Sequence, residues 1–446
     1  MTHVIKDIQS DSWGSINWAK YHRIVNNLQR RIFVAKQERR FRRMRKLQNL
    51  LLSSQANRCL AVKQIRFLNT RRHVGIDPGI LLTPSTGIQL IHELSQIDLK
   101  HWKPEQAMWI SSKPNKKNQP CATLKDIALQ IMVKNALEPE WKVVFDESYA
   151  FRRRSPHDAL SKISNTLRRK QHGIKRKNWI LDADIEGFSN IFCHDYILSK
   201  LEHFPSKVLI EKWLKAGHIE KHGFHVSDLG KSGISPLLAN IALHGVETEL
   251  NTKPWGPVTW FALGRYANAI IGPCETKPQA LITMEKLNHW LRLRGLQISN
   301  PKTKIRHITQ GFDFLGFNIR MCLKKANKPK LLIKPSKACI VQLRKKLKIT
   351  WKRVLGSTVS TVIAQLNPII KQWANYYRLG GCSIHTSLDR YMWIRQYRYV
   401  KRTHPNKSYK WLKEKYWGQL CPNRKDKWVF GCKDTGSYMR KFAHRV

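Results

Sequence analysis

Between Arg30 and Lys46 this chain carries nine lysines or arginines against one acid, Glu38, and the same stretch keeps an apolar stripe. The segment LQRRIFVAKQERRFRRMRKLQNLLL places Leu28, Ile32, Leu47, Leu50 and Leu51 among the arginines. Such a pattern is too charged to be buried all round and too apolar to be a solvated tail. It suits two basic helices within residues 17–70, docked on protein along the stripe and facing phosphate elsewhere. Arg30, Arg31, Arg39, Arg40, Arg42, Arg43, Arg45 and Lys46 are the candidate phosphate contacts. A merely solvated basic face is the bland alternative.

The rest of the chain carries the same bias. Its 446 residues hold 81 Lys and Arg against 30 Asp and Glu, a formal charge of +51. A chain that repels itself this strongly needs a polyanion, and nucleic acid is the leading one. A ribosomal-type or membrane-surface protein is the competing class. Hydrophobic residues make up 42%, so a folded chain of two or three domains is expected rather than disorder. No apolar run approaches the roughly 18 residues of a membrane span, and MTHVIKDIQSDSW has neither an apolar signal region nor an arginine. The expectation is a protein that is not secreted. The nine cysteines form no CxxC pair, which points to free thiols in a reducing compartment and away from zinc ribbons.

Residues 71–110 are mixed, with loop signals at Asp77-Pro78-Gly79 and Thr83-Pro84-Ser85. From Trp109 to Ile319, β-like runs (NWILDADI, TWFALGRYANAII, FDFLGFNI) alternate with helical patterns over 123–138, 156–170, 194–202 and 277–295. That alternation indicates an α/β domain. Beyond Lys334, helices are expected over 336–354, 359–378 (broken at Pro368), 385–400 and 408–416, in a basic region rich in Trp and Tyr.

NWILDADIEGF reads as a strand ending in carboxylates, with Asp184 at the position to ligate metal. An Asp at a strand end is more often a turn or helix cap. Its neighbours add weight: SYAFRRRSPHDAL before it, then GISPLLANIALHGVE, GRYANA, LRLRGLQISNPKTKI and GFDFLGFNIR in order after it. This ordered set resembles the reverse transcriptase domain of group II intron-encoded proteins, or maturases. The resemblance extends from about Trp18 to Arg440. KPNKKNQPCATLKDIALQIMVKNALEPEW looks like the first fingers motifs, LIKPSK like the start of a thumb, and LNPIIKQWANYYRLGG with YVKRTHPNKSYKWLKEKYW like the maturase domain.

The resemblance implies an α/β right-hand polymerase of fingers and palm, followed by an α-helical thumb and an α-helical maturase domain. The implied organisation is a basic helical extension over 1–70, fingers and palm over 71–325, thumb over 326–355, maturase domain over 356–420, and a truncated remnant of a DNA-binding region over 421–446. Where the family has Tyr-Ala-Asp-Asp, this chain has Tyr266-Ala267-Asn268-Ala269. Polymerases of this kind hold catalytic metal with clustered carboxylates, which Asn and Ala cannot replace. The Gln-Gly-Gly stretch expected before Ile234-Ser235-Pro236 is also missing, and Ser189 and Asn190 stand where an aromatic and an acid are usual. Catalysis is therefore expected to be lost, with Asp184 vestigial, and no metal or other cofactor is expected on the protein, magnesium being required by the RNA.

The maturase region shows no such losses. In WANYYR, Trp373, Tyr376 and Tyr377 lie between Lys371 and Arg378, a pattern suited to stacking on bases and holding phosphates. Trp373 and Tyr377, four apart, fit equally the core of a helix pair. Lys401, Arg402, His404 and Lys407 open a second basic run, whose alternative is a solvated face. No metal-spaced His and Cys cluster is present, which argues against DNA cleavage. The expected function is an intron maturase that binds group II intron RNA and assists its splicing, with weak contact to DNA and none to membrane. The alternatives are an active reverse transcriptase for intron mobility and a degenerate remnant. A bacterial cytoplasm or a plastid stroma is the expected compartment.

Overall fold

The computed structural model describes residues 13–71, 83–104, 108–110, 119–121, 123–145, 156–168, 177–186, 194–216, 233–251, 264–266, 269–299, 301, 303–323, 329–378, 382–420 and 428–443. The chain forms two compact units, Met1–Thr166 with Leu181–Ile305, and Leu167–Ile180 with Arg306–Val446.

The first unit opens on α1 (Trp18–Gln37), α2 (Phe41–Ser53) and α3 (Gln55–Arg71), three helices where two were expected. The extra break has a local cause. Arg39 takes a left-handed φ of 56°, and the Arg40 amide bonds back to Ala35 O at 2.8 Å, closing α1 as a glycine usually would. An Arg in that role carries no sequence signal. Val25, Leu28, Ile32 and Ala35 line the buried stripe of α1, and Met44, Leu47, Gln48, Leu51 and Leu52 that of α2. Next come α4 (Pro84–Gln96), the short antiparallel pair β1 (Met108–Ile110) and β2 (Gln119–Cys121), α5 (Leu124–Lys142) and α6 (Pro156–Arg168).

Helix α5 is the axis of this layer. It is buried nearly all round and packs against α1, α2, α3 and α4. Two of the buried polar contacts along it are well paired, as burial demands, whereas Gln130 Nε2 is buried without a partner among the described residues. The Asp126 carboxylate accepts from Trp102 Nε1 at 2.8 Å and Trp213 Nε1 at 3.0 Å, and Asn57 Nδ2 reaches Met132 O at 3.2 Å.

Strand β3 (Trp179–Glu186) precedes α7 (His194–Lys200), α8 (Lys207–Lys215), α9 (Ser235–Ala242) and α10 (Val246–Asn251). Then follow β4 (Gly264–Tyr266), β5 (Ala269–Cys274), α11 (Lys277–Arg292), β6 (Gln297–Ile298) and β7 (Lys304–His307). The sheet order is β4-β5-β3-β6, with β7 also paired to β3. Leu181, Ala183 and Ile185 point into a core shared with Leu243, Ile270, Leu287 and Leu291.

In the second unit, β8 (Phe312–Phe314), β9 (Phe317–Leu323) and β10 (Pro329–Pro335) make an antiparallel meander. FDFLGFNI is therefore a hairpin rather than one strand-like run. Phe314 pairs with Phe317, and the two turn residues, Leu315 and Gly316, have φ of 50° and 79°. Two positive φ values make the tight turn that suits hairpin twist. A Cβ at Gly316 would lie 2.6 Å from Tyr377 Oη, so glycine is also required by space. The β9–β10 pair has seven residue partners and straddles the expected palm–thumb boundary at 325, so that boundary does not fall between compact units.

Helices α12 (Lys337–Arg353), α13 (Val359–Tyr376), α14 (Cys382–Thr403) and α15 (Tyr409–Tyr416) follow, and then β11 (Trp417–Gly418) and β12 (Val429–Phe430). Ser336, Thr358 and Ser408 cap α12, α13 and α15 through their side chains. Pro368 does not break α13, contrary to expectation. Pro368 and Ala364 both lie on its exposed face, where solvent can satisfy the carbonyl that proline leaves unpaired. The stretch expected to be a remnant contributes Phe430, Met439 and Phe442 to one core with Leu347, Leu366, Leu388 and Leu412. The Phe442 amide donates to Asp389 Oδ1 at 2.7 Å, which fastens that segment to α14. Among the described residues, no helix is long and apolar enough to cross a membrane.

Candidate nucleic-acid interface

Strand alternation places Asp182 and Asp184 together on the face of β3 opposite Leu181, Ala183 and Ile185. The Asp184 backbone is fixed by the Ser299 amide at 2.8 Å and the Thr303 hydroxyl at 3.4 Å. The β4–β5 hairpin lies beside β3, with Tyr266 opposite Ala269, so the position expected for a second acid carries a methyl group. Asn268 lies outside the described residues. Among the described residues, β3 supplies two carboxylates to this face and Ala269 of β5 supplies none. Among the described residues, no group of three or more His, Cys, Asp or Glu side chains comes together as a metal site.

The basic helices of the first unit expose Arg30, Arg31, Arg39, Arg40, Arg42, Arg43 and Lys46. Arg45 does not belong with them. It turns inward and grips Glu140 of α5 through Nη1–Oε2 at 2.6 Å and Nη2–Oε1 at 3.1 Å, with Gln48 donating to the same carboxylate at 2.9 Å. Its guanidinium is committed to holding α2 on α5, and sequence spacing does not reveal a partner 95 residues away.

In the second unit, Lys371 and Arg378 are exposed, but the aromatic residues between them turn inward. Tyr377 is 6% exposed and packs on Phe317 at 4.9 Å and Trp373 at 4.4 Å. Burial, reinforced by the Cys339 thiol, raises its hydroxyl pKa. Tyr376 donates its hydroxyl to Leu315 O at 2.9 Å, and Trp373 meets Phe442 edge-on at 5.5 Å. WANYYR thus joins α13 to the β8–β9 turn and to the C-terminal segment. The core alternative holds for Trp373 and Tyr377, and Tyr376 joins them, because this helix face meets a sheet turn.

Lys401, Arg402 and Lys407 are exposed. His404 is half-buried, with Nε2 2.6 Å from the Tyr416 hydroxyl and its ring edge-on to Trp411 at 5.0 Å. Burial first, and then Lys415 and Lys407, hold its pKa below the ordinary value. His404 thus commits Nε2 to Tyr416, and its environment favours the neutral ring. The unfolded chain takes up this proton near pH 6.5 while the folded chain resists it. The stability from a neutral His404 is therefore full above about pH 6.5 and is lost as pH falls through the lowered folded value. Urea unfolding of wild type and His404→Gln between pH 7 and 5 should show wild type losing more stability over that window.

The available stacking surface lies on α14 and α15 instead. Trp393 is 43% exposed and stacks on Tyr397 at 5.9 Å, and Tyr409, 49% exposed, adjoins Tyr397. Trp428 is 46% exposed, under Lys413 Nζ at 4.0 Å. The signal was present in DRYMWIRQYRYVKR. Leu388, Met392 and Tyr399 form the buried face, and Trp393 and Tyr397 sit one position round, beside exposed Arg390 and Arg398.

Comparison with known proteins places three domains in order on this chain. Residues 13–94 match the N-terminal domain of reverse transcriptase, 112–319 match reverse transcriptase (RNA-dependent DNA polymerase), and 340–417 match the group II intron maturase-specific domain. The chain belongs to the group II intron reverse transcriptase and maturase family. It is 26% identical over 368 residues to maturase-like protein 1 of Euglena gracilis, covering 81% of this chain and 76% of that protein. It is 34% identical over 156 residues to the group II intron-encoded protein LtrA of Lactococcus lactis subsp. cremoris, covering 32% of this chain and 25% of LtrA. Protein YkfC of Escherichia coli K12 is 27% identical over 262 residues, or 49% of this chain and 68% of YkfC.

Proposed function

We propose that this maturase-family chain binds a group II intron RNA and favours its splicing-competent conformation, while the chemistry stays with the RNA and its magnesium. A protein acts this way through the difference in its affinity for two RNA conformations. The observation that carries the reading is the contrast within the chain. The maturase-specific match over 340–417 has a packed core and an outer face of cations and aromatic rings, whereas β5 of the palm offers Ala269 for an acid. In this reading residues 1–70 anchor RNA, α12 corresponds to the thumb, and the polymerase centre is silent. A bacterial cytoplasm or a plastid stroma would both supply such an RNA.

Excision of the cognate intron at low magnesium tests it. Asp184→Ala should splice as wild type, since a strand-end carboxylate without metal contributes within about 0.5 kcal/mol. Substituting alanine for Arg30, Arg31, Arg42 and Arg43 should slow splicing while circular dichroism stays native, because these side chains are exposed. Primed RNA template with nucleotides and magnesium should show no extension above background. Processive cDNA synthesis, or an Asp184→Ala variant that no longer splices, would hand the chain to the reverse transcriptase reading that the 112–319 match also supports.

A further inference from the structure

The first unit contains a cavity of ≈780 Å³ between α2, α3, α8 and the segment following α4. That volume lies within the range of about 300–1,000 Å³ typical of small-ligand pockets. Its lining joins two kinds of surface. Leu50 and Val208, 52% and 54% exposed, contribute apolar surface, and Lys46, Arg58 and Lys100 contribute cations. Asp98 is the one lining acid, and it is engaged locally, with His101 Nδ1 at 2.7 Å and the Lys100 amide at 2.9 Å.

Arg58 is the informative residue. It is half-buried, its Nε is sealed from solvent without a hydrogen-bond partner, and no carboxylate among the described residues pairs with it. Burial lowers its pKa, as desolvation of an uncompensated charge should. A half-buried cation without a counter-charge carries a desolvation cost, and Arg45, one helix earlier, has the same orphaned Nε but places both Nη atoms on Glu140. The missing complement at Arg58 is an anion. The cavity also continues the exposed arginine face, since Arg42, Lys46 and Asn49–Leu50 follow one another along one side of α2.

We propose that this cavity receives one unstacked nucleotide of a bound RNA strand, its phosphate on Arg58 and Lys46 and its base against Leu50 and Val208. This rests on the RNA-binding reading, but its test does not depend on intron selectivity. At ≈780 Å³ the cavity is too small to take a duplex, and single-stranded RNA is recognised through splayed bases and cationic contacts.

The probes are a labelled single-stranded oligoribonucleotide and a nucleoside 5′-monophosphate, each titrated against the full chain. Arg58→Met keeps the aliphatic bulk and removes the charge. It should weaken oligoribonucleotide binding about tenfold or more, the usual worth of a charge-assisted hydrogen bond. Its melting temperature should be unchanged or higher, because a half-buried charge without a counter-charge is removed. Val208→Trp, which fills the mouth from an exposed position, should weaken binding equally without unfolding the chain. Wild-type affinity in both variants would overturn the proposal. So would a free monophosphate binding as tightly as the oligoribonucleotide, which would make the cavity a free-nucleotide site. Equal binding of intron and control RNA by wild type would instead sink the maturase reading and leave the pocket result standing.

Discussion

Glu140→Ala should destabilise the N-terminal unit by about 3 kcal/mol or more, the usual cost of stripping one partner from a buried ion pair. Glu140 is 6% exposed and receives Arg45, Gln48 and Lys36, so its removal leaves a guanidinium at the α2–α5 contact without its carboxylate. The double change Arg45→Met with Glu140→Leu should recover most of the loss, because two apolar side chains replace two desolvated charges. Urea unfolding of wild type, Arg45→Met, Glu140→Leu and the double variant closes the cycle. If Arg45→Ala leaves stability intact and weakens RNA binding alone, Arg45 belongs with the exposed arginines after all. The exposed Arg40–Glu38 pair at 3.3 Å should contribute next to nothing.

The second large effect is on affinity. A chain of formal charge +51 that presents Arg30, Arg31, Arg42 and Arg43 to solvent should neutralise many phosphates at once. With 6 to 10 phosphate contacts, affinity should fall about 10³- to 10⁵-fold between 50 and 200 mM salt. Replacing the four arginines should flatten the log–log slope by about 3, since each lost phosphate contact removes a little under one unit. Filter binding of intron RNA across that salt range measures both. A slope unchanged by the four substitutions would place the phosphate contacts elsewhere, on α14 and α15 being the next place to look.

Much of this architecture was legible in residue order. An apolar stripe marked α1 and α2, and the helices expected from 336, 359 and 408 begin at or next to the side-chain caps Ser336, Thr358 and Ser408. Period-two alternation in NWILDADI put the two aspartates on one face of β3. These are local properties, set by backbone geometry within a turn or two. The absence of an acid at Ala269 is likewise a property of the residue itself.

Which cations and rings face solvent was not local. Arg45 and Arg43 are alike in sequence, and only the approach of α5 separates the half-buried, paired arginine from the exposed one. Trp373, Tyr376 and Tyr377 look like a stacking platform until the β8–β9 turn and the C-terminal segment close over them, while Trp393 and Tyr409 remain outside. Arg58 acquires meaning only from a cavity wall to which α2, α3, α4, α5 and α8 all contribute. Residue order thus determined the charge, carried the family resemblance and placed most of the elements, though not the Arg39 break or the Leu315-Gly316 turn. The tertiary structure alone decided which charges are compensated, because desolvation and pairing depend on partners that the chain brings together across roughly 50 to 100 residues.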